Sequence, residues 1–368
     1  MNEIGRKIAD KLIELHGSSD FTICFLPYKR SMWDCMRSVY EECIASGAET
    51  HLLPLPYYRM KINKEVDYID YDDFGKDAEP IENLEKLYPD YVVIHYQYNG
   101  NNKVTQEILD NLRGSRIFGF TATPIGRSDK SDLLVEALFG QPIVNYSYKQ
   151  AEEVGNVTPI LVQMWDVPGK VESSRSPYGN AMTQNKRRFY WNNEPRNRLI
   201  QALARLVPSD EQVLIMTDTV EHLVRLGALL PEFALICGFG HDLQKEAKLM
   251  RLKLENRLGD SKEEYARITE EFKRGSLRKV IATFCWKQAV DFPQLSVLIR
   301  ADGAKSVILG AQIPGRMSRL SAGKDTGLLI DFTDGFNMSA KRKAEYRERS
   351  YRKTGWKIEH MGSLEENP

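Results

Sequence analysis

The strongest constraint on the fold of this chain is a repeated alternation of short apolar runs with amphipathic stretches. Three such runs, FTICFLP, YVVIHY and SRIFGFTAT, lie within residues 1–123. The alternation returns over residues 193–337, with the runs QVLIMTDT, FALICGF, RKVIATF, LSVLIRAD and TGLLIDFTD. Strands that alternate with helices predict parallel sheets covered by helices on their faces. We therefore expect an α/β protein with two parallel-sheet lobes.

The length of 368 residues suits two domains, at about 150 residues for each. We expect a first lobe over residues 1–165 and a second lobe over residues 193–337. Between them, residues 166–192 are polar and contain Gly, Ser and Pro, which predicts a linker or mobile loop. The charged stretch 242–274 is expected to be helical. Residues 338–368 form a basic tail, whose segment MSAKRKAEYRERSYRKTGW holds seven Lys and Arg against two Glu.

Composition excludes several classes of protein. The sequence contains no run approaching the roughly 18 apolar residues of a membrane helix, and its N-terminus lacks the apolar region of a signal peptide. The five cysteines include no CxxC pair, so we expect no zinc site, no disulfide framework and a cytoplasmic location. Residues 1–104 hold 12 Lys+Arg and 18 Asp+Glu, which leaves the remainder with an excess of basic residues, and composition alone leaves the function open.

The segment QIPGRMSRL carries the strongest chemical signal. Its form, QxxGRxxR, places Arg316 and Arg319 on one face of a helix, where two guanidinium groups could meet a triphosphate. Gly315 would let the backbone approach the phosphates closely, and Gln312 completes the pattern. In isolation the pattern fits equally well an exposed helix with two solvated arginines.

Two upstream segments end strands with hydroxyl or acidic residues. In VIATFCWKQAVDFPQLSVLIRAD, Thr283 could contact a nucleic-acid phosphate and Asp291 could orient an arginine or a ribose hydroxyl. In GFTATP, Thr121 and Thr123 end the third apolar run. Each feature alone is equally typical of an ordinary strand terminus, because Thr favours strands.

Taken together and in order, these segments resemble the superfamily 2 helicases of the DEAD/DEAH-like class, over residues 105–356. The second motor domain of phage and bacterial DNA helicases carries a similar succession of VDFP, LIRA, PGR and GK segments. The resemblance implies two RecA/Rossmann-like lobes, the first of them non-standard or truncated here, with ATP and Mg²⁺ as cofactors and nucleic acid, DNA in particular, as partner. The implied roles are arginine fingers for Arg316 and Arg319, nucleotide binding for Gln312, Gly315 and Asp291, and nucleic-acid coupling for Thr121, Thr123 and Thr283.

The sequence also departs from this family. It has no GxxxxGK[ST] phosphate loop, and YVVIHYQYNG stands where an acidic DExH or DExD box is expected. Ala289 replaces a glycine that is usual in the family. We therefore expect impaired ATP hydrolysis, unless a partner chain supplies the phosphate loop and the two arginines act in trans.

Residues 1–104 resemble instead the N-terminal region of CDP-glycerol glycerophosphotransferase-like proteins. The resemblance rests on FLPYKRSMWDCMRSVYEE, LLPLPYY and DYVVIHYQYNGNNKVT, and it omits the catalytic domain of that family. An ordinary α/β half-domain with Trp33, Tyr57 and Tyr58 as core or rim aromatics is the alternative. A non-enzymatic two-lobed binding protein and a binder of CDP-glycerol or sugar phosphate therefore stay open as functions.

The aromatic residues of the basic tail have two interpretations. Tyr346, Tyr351 and Trp356 could stack on nucleic-acid bases, since aromatic rings among basic residues suit single strands. A solvated C-terminal helix explains the same residues. His222 and His241 show no metal-ligand spacing, and His95 is expected to be a core or strand-end residue.

Overall fold

The chain forms two compact units, Met1–Tyr146 and Ser147–Pro368, which we call unit 1 and unit 2. We expected the first lobe to extend to residue 165, whereas the strand Ile160–Trp165 pairs in the sheet of unit 2. The computed structural model describes residues 3–27, 30–55, 57–58, 66–67, 74–94, 114–119, 141, 143–173, 181–238, 240–286, 292–304, 317–321 and 323–364.

Unit 1 contains a four-stranded parallel sheet in the order β2-β1-β5-β6 and a separate two-stranded antiparallel pair, β3-β4. Its described elements are α1 (Glu3–His16), β1 (Thr22–Leu26), α2 (Arg30–Ala45), β2 (Glu49–Leu52), β3 (Tyr57–Tyr58), β4 (Val66–Asp67), a 3₁₀ turn (Ile81–Asn83), α3 (Leu84–Leu87), β5 (Tyr91–Ile94) and β6 (Arg116–Gly119). Each of the three apolar runs predicted as strands thus contains a strand.

The sheet of unit 1 is covered on both faces. Along β1, Ile23 and Phe25 pack into a cluster with residues of α1 and α2, while Cys24 and Leu26 pack into a second cluster on the opposite face. This alternation follows from the two-residue period of a strand, and burial on both faces is typical of a parallel sheet. Helices α1 and α2 pack closely at Gly5, where an added Cβ would lie 2.5 Å from the Ser38 carbonyl oxygen.

Unit 2 contains an eight-stranded parallel sheet in the order β10-β9-β11-β8-β12-β13-β7-β14. Its described elements are α4 (Tyr148–Glu153), β7 (Ile160–Trp165), α5 (Ala181–Lys186), a π-helical segment (Arg187–Trp191), α6 (Glu194–Leu206), β8 (Gln212–Met216), α7 (Val220–Leu229), β9 (Ala234–Ile236), α8 (Leu243–Leu249), β10 (Leu258–Gly259), α9 (Lys262–Arg274), β11 (Lys279–Ala282), a 3₁₀ turn (Phe284–Trp286), β12 (Leu295–Arg300), β13 (Gly327–Phe332), α10 (Met338–Thr354) and β14 (Lys357–Gly362). The predicted class, α/β with two parallel-sheet lobes, is confirmed.

The large sheet also divides two apolar cores. On β8, Val213 and Ile215 belong to one cluster and Leu214 and Met216 to the other. Because all its strands are parallel, the sheet has one edge where every strand begins and an opposite edge where every strand ends. We call these the amino edge and the carboxyl edge of unit 2.

Three expectations for unit 2 need correction. The expected linker 166–192 includes the π-helical segment, whose Phe189, Tyr190 and Trp191 are buried in the core. The stretch 242–274 is not continuously helical, because β10 pairs with β9 between α8 and α9. The basic tail is part of the domain, since α10 packs on the sheet and β14 pairs with β7.

Two of the tail aromatics lie in the core as well. Tyr351 is fully buried and Trp356 nearly so, and their rings stack with centroids 5.6 Å apart. Neither ring is available to stack on a base.

Within the part of the chain that the structure describes, no helix is long and apolar enough to cross a membrane.

Candidate nucleotide and nucleic-acid sites

Two of the eight predicted site residues, Thr283 and Arg319, belong to the described part of the chain. The other six lie outside the described residues: Thr121, Thr123, Asp291, Gln312, Gly315 and Arg316. Thr283, Arg319 and the residues that contact them therefore give the described geometry of the predicted sites.

Thr283 follows directly after β11, at the carboxyl edge of unit 2. Its backbone N–H donates to the Ile236 carbonyl at 3.0 Å, and its side chain hydrogen-bonds with Cys285. Burial raises the pKa of the Cys285 thiol above its ordinary value, so the thiol stays protonated at neutral pH. Thr283 is itself buried.

Arg319 lies at the amino edge. The preceding Met317 is fully buried in the core. The carbonyl oxygens of Ser318 and Arg319 accept from the backbone N–H and the hydroxyl of Thr158, at 2.8 and 3.1 Å. Because Thr158 lies two residues before β7, these bonds fix the backbone of the arginine beside the starts of β7 and β13. The Arg319 residue is exposed.

Thr283 and Arg319 therefore lie at opposite edges of one sheet. The structure does not bring the two residues into a single site.

Lys324 connects the segment after β11 with the segment before β13. Its ammonium donates to the carbonyl oxygens of Pro293 and Leu295, at 2.9 and 3.3 Å. Sequence reasoning assigned Lys324 no role, although it belongs to the GK pair of the helicase-like pattern. Through these hydrogen bonds Lys324 holds the two segments together at the amino edge.

A buried ionic network near the carboxyl edge was not predicted. It holds three arginines, three aspartates and a tyrosine, and every charged side chain in it is at most 4% exposed. We call the set the buried ionic network: Arg196, Arg300, Asp302, Asp331, Asp334, Arg347 and Tyr351.

Arg347 of α10 is the centre of this network. Its Nε and Nη2 donate to the two oxygens of Asp331 at 2.8 and 2.9 Å, and Nη2 also donates to Asp334 at 3.0 Å. The second oxygen of Asp334 accepts from Arg196 of α6 at 3.0 Å. The network thereby ties two helices to the end of β13.

Arg300 of β12 completes the network on the neighbouring strand. Its guanidinium makes a two-pronged contact with Asp302 at 3.0 and 2.7 Å and donates to the Tyr351 hydroxyl at 2.9 Å. That hydroxyl donates to Asp331 at 2.6 Å. Paired charges with satisfied geometry are the form in which ions are tolerated in a protein interior.

The arginines keep the aspartates of the network ionised. Burial alone would raise the pKa of Asp331, but attraction to Arg347 and Arg300 and the hydrogen bonds outweigh it, so the pKa lies below its ordinary value. The pKa of Asp302 is also lowered. Burial alone would raise it, but attraction to Arg300 and Arg347 outweighs the effect of burial. The network is a structural feature, and the signal for it in the sequence was the charged residues within LIRAD, IDFTD and YRERSY.

Comparisons with known proteins identify the fold. No family model matches the chain, and no curated protein matches it. Among solved structures, a fragment assigned as the HsdR subunit of a type I restriction enzyme from Vibrio vulnificus YJ016 matches with a TM-score of 0.54 at 14% identity, over 96% of this chain and 66% of that one. S. cerevisiae Dbp5, solved with RNA and ADP BeF3, matches with a TM-score of 0.50 at 12% identity, over 95% of this chain and 79% of that one.

The chain has a helicase-like fold, which it shares with these two structures. It spans just under two thirds of the length of the HsdR fragment. At these identities the likeness concerns the fold alone. The helicase-like fold agrees with the resemblance read from the motifs, while the resemblance of residues 1–104 to glycerophosphotransferase-like proteins has no counterpart among these matches.

The residues of this helicase-like fold do not fit a complete ATP–Mg²⁺ site. The sequence lacks the phosphate loop, and the segment after β5 supplies His95, Tyr96, Gln97 and Tyr98 in place of carboxylates. Within the described ranges, no group of three His, Cys, Asp or Glu side chains is arranged to hold a metal ion.

Trp33 of unit 1 packs in the core against Tyr40, as an ordinary core aromatic does.

Proposed function

We propose that this protein binds nucleic acid, DNA in particular, and that a nucleotide changes its affinity for that nucleic acid. The observation that carries the proposal is the QIPGRMSRL segment on a helicase-like fold. The end of that segment is anchored by Thr158, whose hydrogen bonds hold the backbone of the exposed Arg319 in place. A guanidinium group suits a phosphate, because its charge and planar donors match phosphate oxygens.

In this proposal Arg316 and Arg319 neutralise phosphate charge, and Gln312, Gly315 and Asp291 complete the nucleotide contacts. Thr121, Thr123 and Thr283 contact the nucleic acid and couple its binding to that of the nucleotide. S. cerevisiae Dbp5, which shares the fold, was solved with RNA and a nucleotide analogue, and this supports the pairing of the two ligands. We derive no hydrolytic step, because the residues for a phosphate loop and for Mg²⁺ are missing from the sequence.

Hydrolysis of ATP would need a partner chain that supplies the phosphate loop. The two arginines would then act in trans on a nucleotide bound by the partner, and ATP and Mg²⁺ would be cofactors of the assembly. This chain by itself is expected to show no ATP turnover above background. We place the assembly in the cytoplasm.

Direct binding to oligonucleotides tests the nucleic-acid part. Fluorescence anisotropy with labelled single-stranded DNA, duplex DNA and single-stranded RNA should show saturable binding that weakens as salt rises, since phosphate contacts release counterions. Tighter binding to DNA than to RNA supports the DNA preference. No saturable binding to any of the three at low salt would refute the proposal.

The competing function is a binder of CDP-glycerol or a sugar phosphate. A ligand that binds only the folded state raises its melting temperature. We expect CDP-glycerol to leave the melting temperature unchanged at concentrations at which single-stranded DNA raises it, and the reverse result would favour the competing function.

A further inference from the structure

Two basic segments that are distant in the sequence converge on unit 2. Lys186 and Arg187 join α5 to the π-helical segment, and Arg342 and Lys343 lie in the second turn of α10. Lys186 contacts Asp218, two residues after the end of β8, and α10 follows the end of β13. Both segments therefore lie at the carboxyl edge. We call these four residues the basic edge.

Buried aromatic residues hold the two halves of the basic edge in place. Lys343 Nζ lies 5.8 Å from the ring centroid of Tyr190, and the Arg187 guanidinium carbon lies 5.5 Å from that of Trp191. The indole N–H of Trp191 donates to Asp218 at 2.8 Å, and Lys186 Nζ is 3.4 Å from the same carboxylate. Cations placed over buried rings lose part of their freedom to move away.

The basic edge carries more positive charge than the protein neutralises. Lys186 pairs with Asp218 and Arg187 with Glu221, whereas neither Arg342 nor Lys343 has an ion pair among the residues that the structure describes. Burial lowers the pKa of Lys343, and repulsion from Lys186 and Arg347 lowers it further. The buried ionic network beneath holds three arginines and three aspartates and so has no net charge, and attraction to Asp334 and Asp218 offsets only part of the lowering at Lys343.

The exposed side of α10 beside Lys343 suits a nucleic acid better than an anionic membrane surface. Ser339, Arg342, Tyr346 and Ser350 lie three or four residues from Lys343 or from one another, so they share its side of the helix. Tyr346 is half-buried, with the Arg349 guanidinium carbon 5.7 Å from its ring centroid. A helix that lies on a membrane presents large apolar residues beside its basic ones, and this side presents hydroxyl, phenol and cationic groups.

We propose that the basic edge binds the phosphodiester backbone of a single nucleic-acid strand, with Arg342 and Lys343 on phosphates and Tyr346 beside a base. This assignment rests on the proposed nucleic-acid binding and adds to it a surface that the helicase-like motifs do not include. An anion between Lys343 and Lys186 also relieves the repulsion between those two cations.

The test compares charge removal at the two edges of unit 2. R342Q/K343Q removes two charges from the basic edge and leaves the Lys186–Asp218 pair intact. The matched control, K253Q/K273Q, removes two charges from exposed residues that precede β10 and β11, on the side of the amino edge. Binding of labelled single-stranded DNA is measured by anisotropy over a range of salt concentrations, and K343R is included because it keeps the charge.

We expect R342Q/K343Q to weaken binding roughly tenfold at low salt and to reduce the slope of log K against log salt by about 1.4, the value for two lost single-strand contacts. K253Q/K273Q and K343R should bind like the wild type. If the wild type binds and all three variants match it in affinity and slope, the basic edge is not the contact surface, although the proposed function stands.

Two further outcomes would also overturn the assignment. If the wild type binds no nucleic acid, the proposed function and this surface fail together. If it binds vesicles containing phosphatidylserine but not DNA, and R342Q/K343Q loses that binding, the partner is a lipid surface. Circular dichroism of each variant shows whether a loss of binding reflects a loss of folded protein.

Discussion

Gly303 determines where the Tyr190 ring, and with it one half of the basic edge, can lie. Its φ is +62°, and an added Cβ would lie 2.3 Å from a carbon of the Tyr190 ring. A side chain at this position is therefore disfavoured both by the backbone conformation and by the lack of space.

We expect Gly303→Ala to lower the free energy of unfolding by about 2–4 kcal/mol, because the change combines backbone strain with overpacking. Gly335→Ala is the control, since its Cβ would meet nothing nearer than the Thr333 hydroxyl at 3.9 Å and should cost about 1 kcal/mol or less. Urea unfolding followed by circular dichroism measures both. Equal midpoints for the two variants would contradict this account of Tyr190.

For two aromatic residues of the tail, the sequence predicted exposure, whereas the structure shows burial. Tyr351 and Trp356 stand among Lys and Arg in the sequence, which suggested an exposed surface for bases. They are buried because Ala340, Ala344, Arg347 and Tyr351 form the inner stripe of α10, and a buried arginine at one of these positions conceals the helical period of that stripe. Its partners Asp331 and Asp334 are distant in sequence, so no local pattern could predict the pairing.

Among the secondary-structure elements, the buried ionic network joins α6, β12, β13 and α10. Asp331 takes part through Arg347 and Tyr351, and it is fully buried. We expect Asp331→Asn to cost about 3–5 kcal/mol at neutral pH, because removing one partner leaves buried positive charge uncompensated. The exposed Asp325→Asn is the control and should change the free energy of unfolding by about 0.5 kcal/mol or less.

The same network predicts how stability depends on pH. The pKa values of Asp302 and Asp331 are lower in the folded protein than their ordinary value of 3.8. Their contribution is therefore fully present above pH 3.8 and is lost as the pH falls through the lower folded values. Urea unfolding between pH 7 and pH 3 should show a smaller loss of stability for Asp331→Asn than for the wild type. Parallel losses in the two proteins would mean that Asp331 is not ionised in the network.

Strands were the elements that the sequence predicted best. The runs around β1, β5, β8, β11, β12 and β13 are mostly apolar, as is typical of strands buried on both faces, so short apolar runs between helices were sufficient. Short or irregular elements could not be found in this way. The two-residue β10 has too few residues for a pattern, and the π-helical segment has a polar, turn-like neighbourhood that hid its buried aromatics.

At the scale of the whole molecule, the order of the motifs predicted the helicase-like fold, but the domain boundary was placed too late. The first lobe was expected to extend to residue 165, which would include β7. This strand instead pairs with β13 and β14, which lie more than 150 residues later. Pairing between strands so distant in sequence leaves no signal in either strand alone, and β14 had not been predicted.

The central claim is that a nucleotide, sensed by Arg316 and Arg319, changes the affinity of this protein for nucleic acid. The most direct test is the Kd for labelled single-stranded DNA, measured with and without millimolar ATP, for the wild type and for R316A/R319A. Coupling between two ligand sites is typically about 5- to 150-fold in affinity. The account predicts a change of about fivefold or more in the wild type and none in the double variant. A wild-type Kd that ATP leaves unchanged would contradict it, since a ligand without differential affinity shifts no equilibrium.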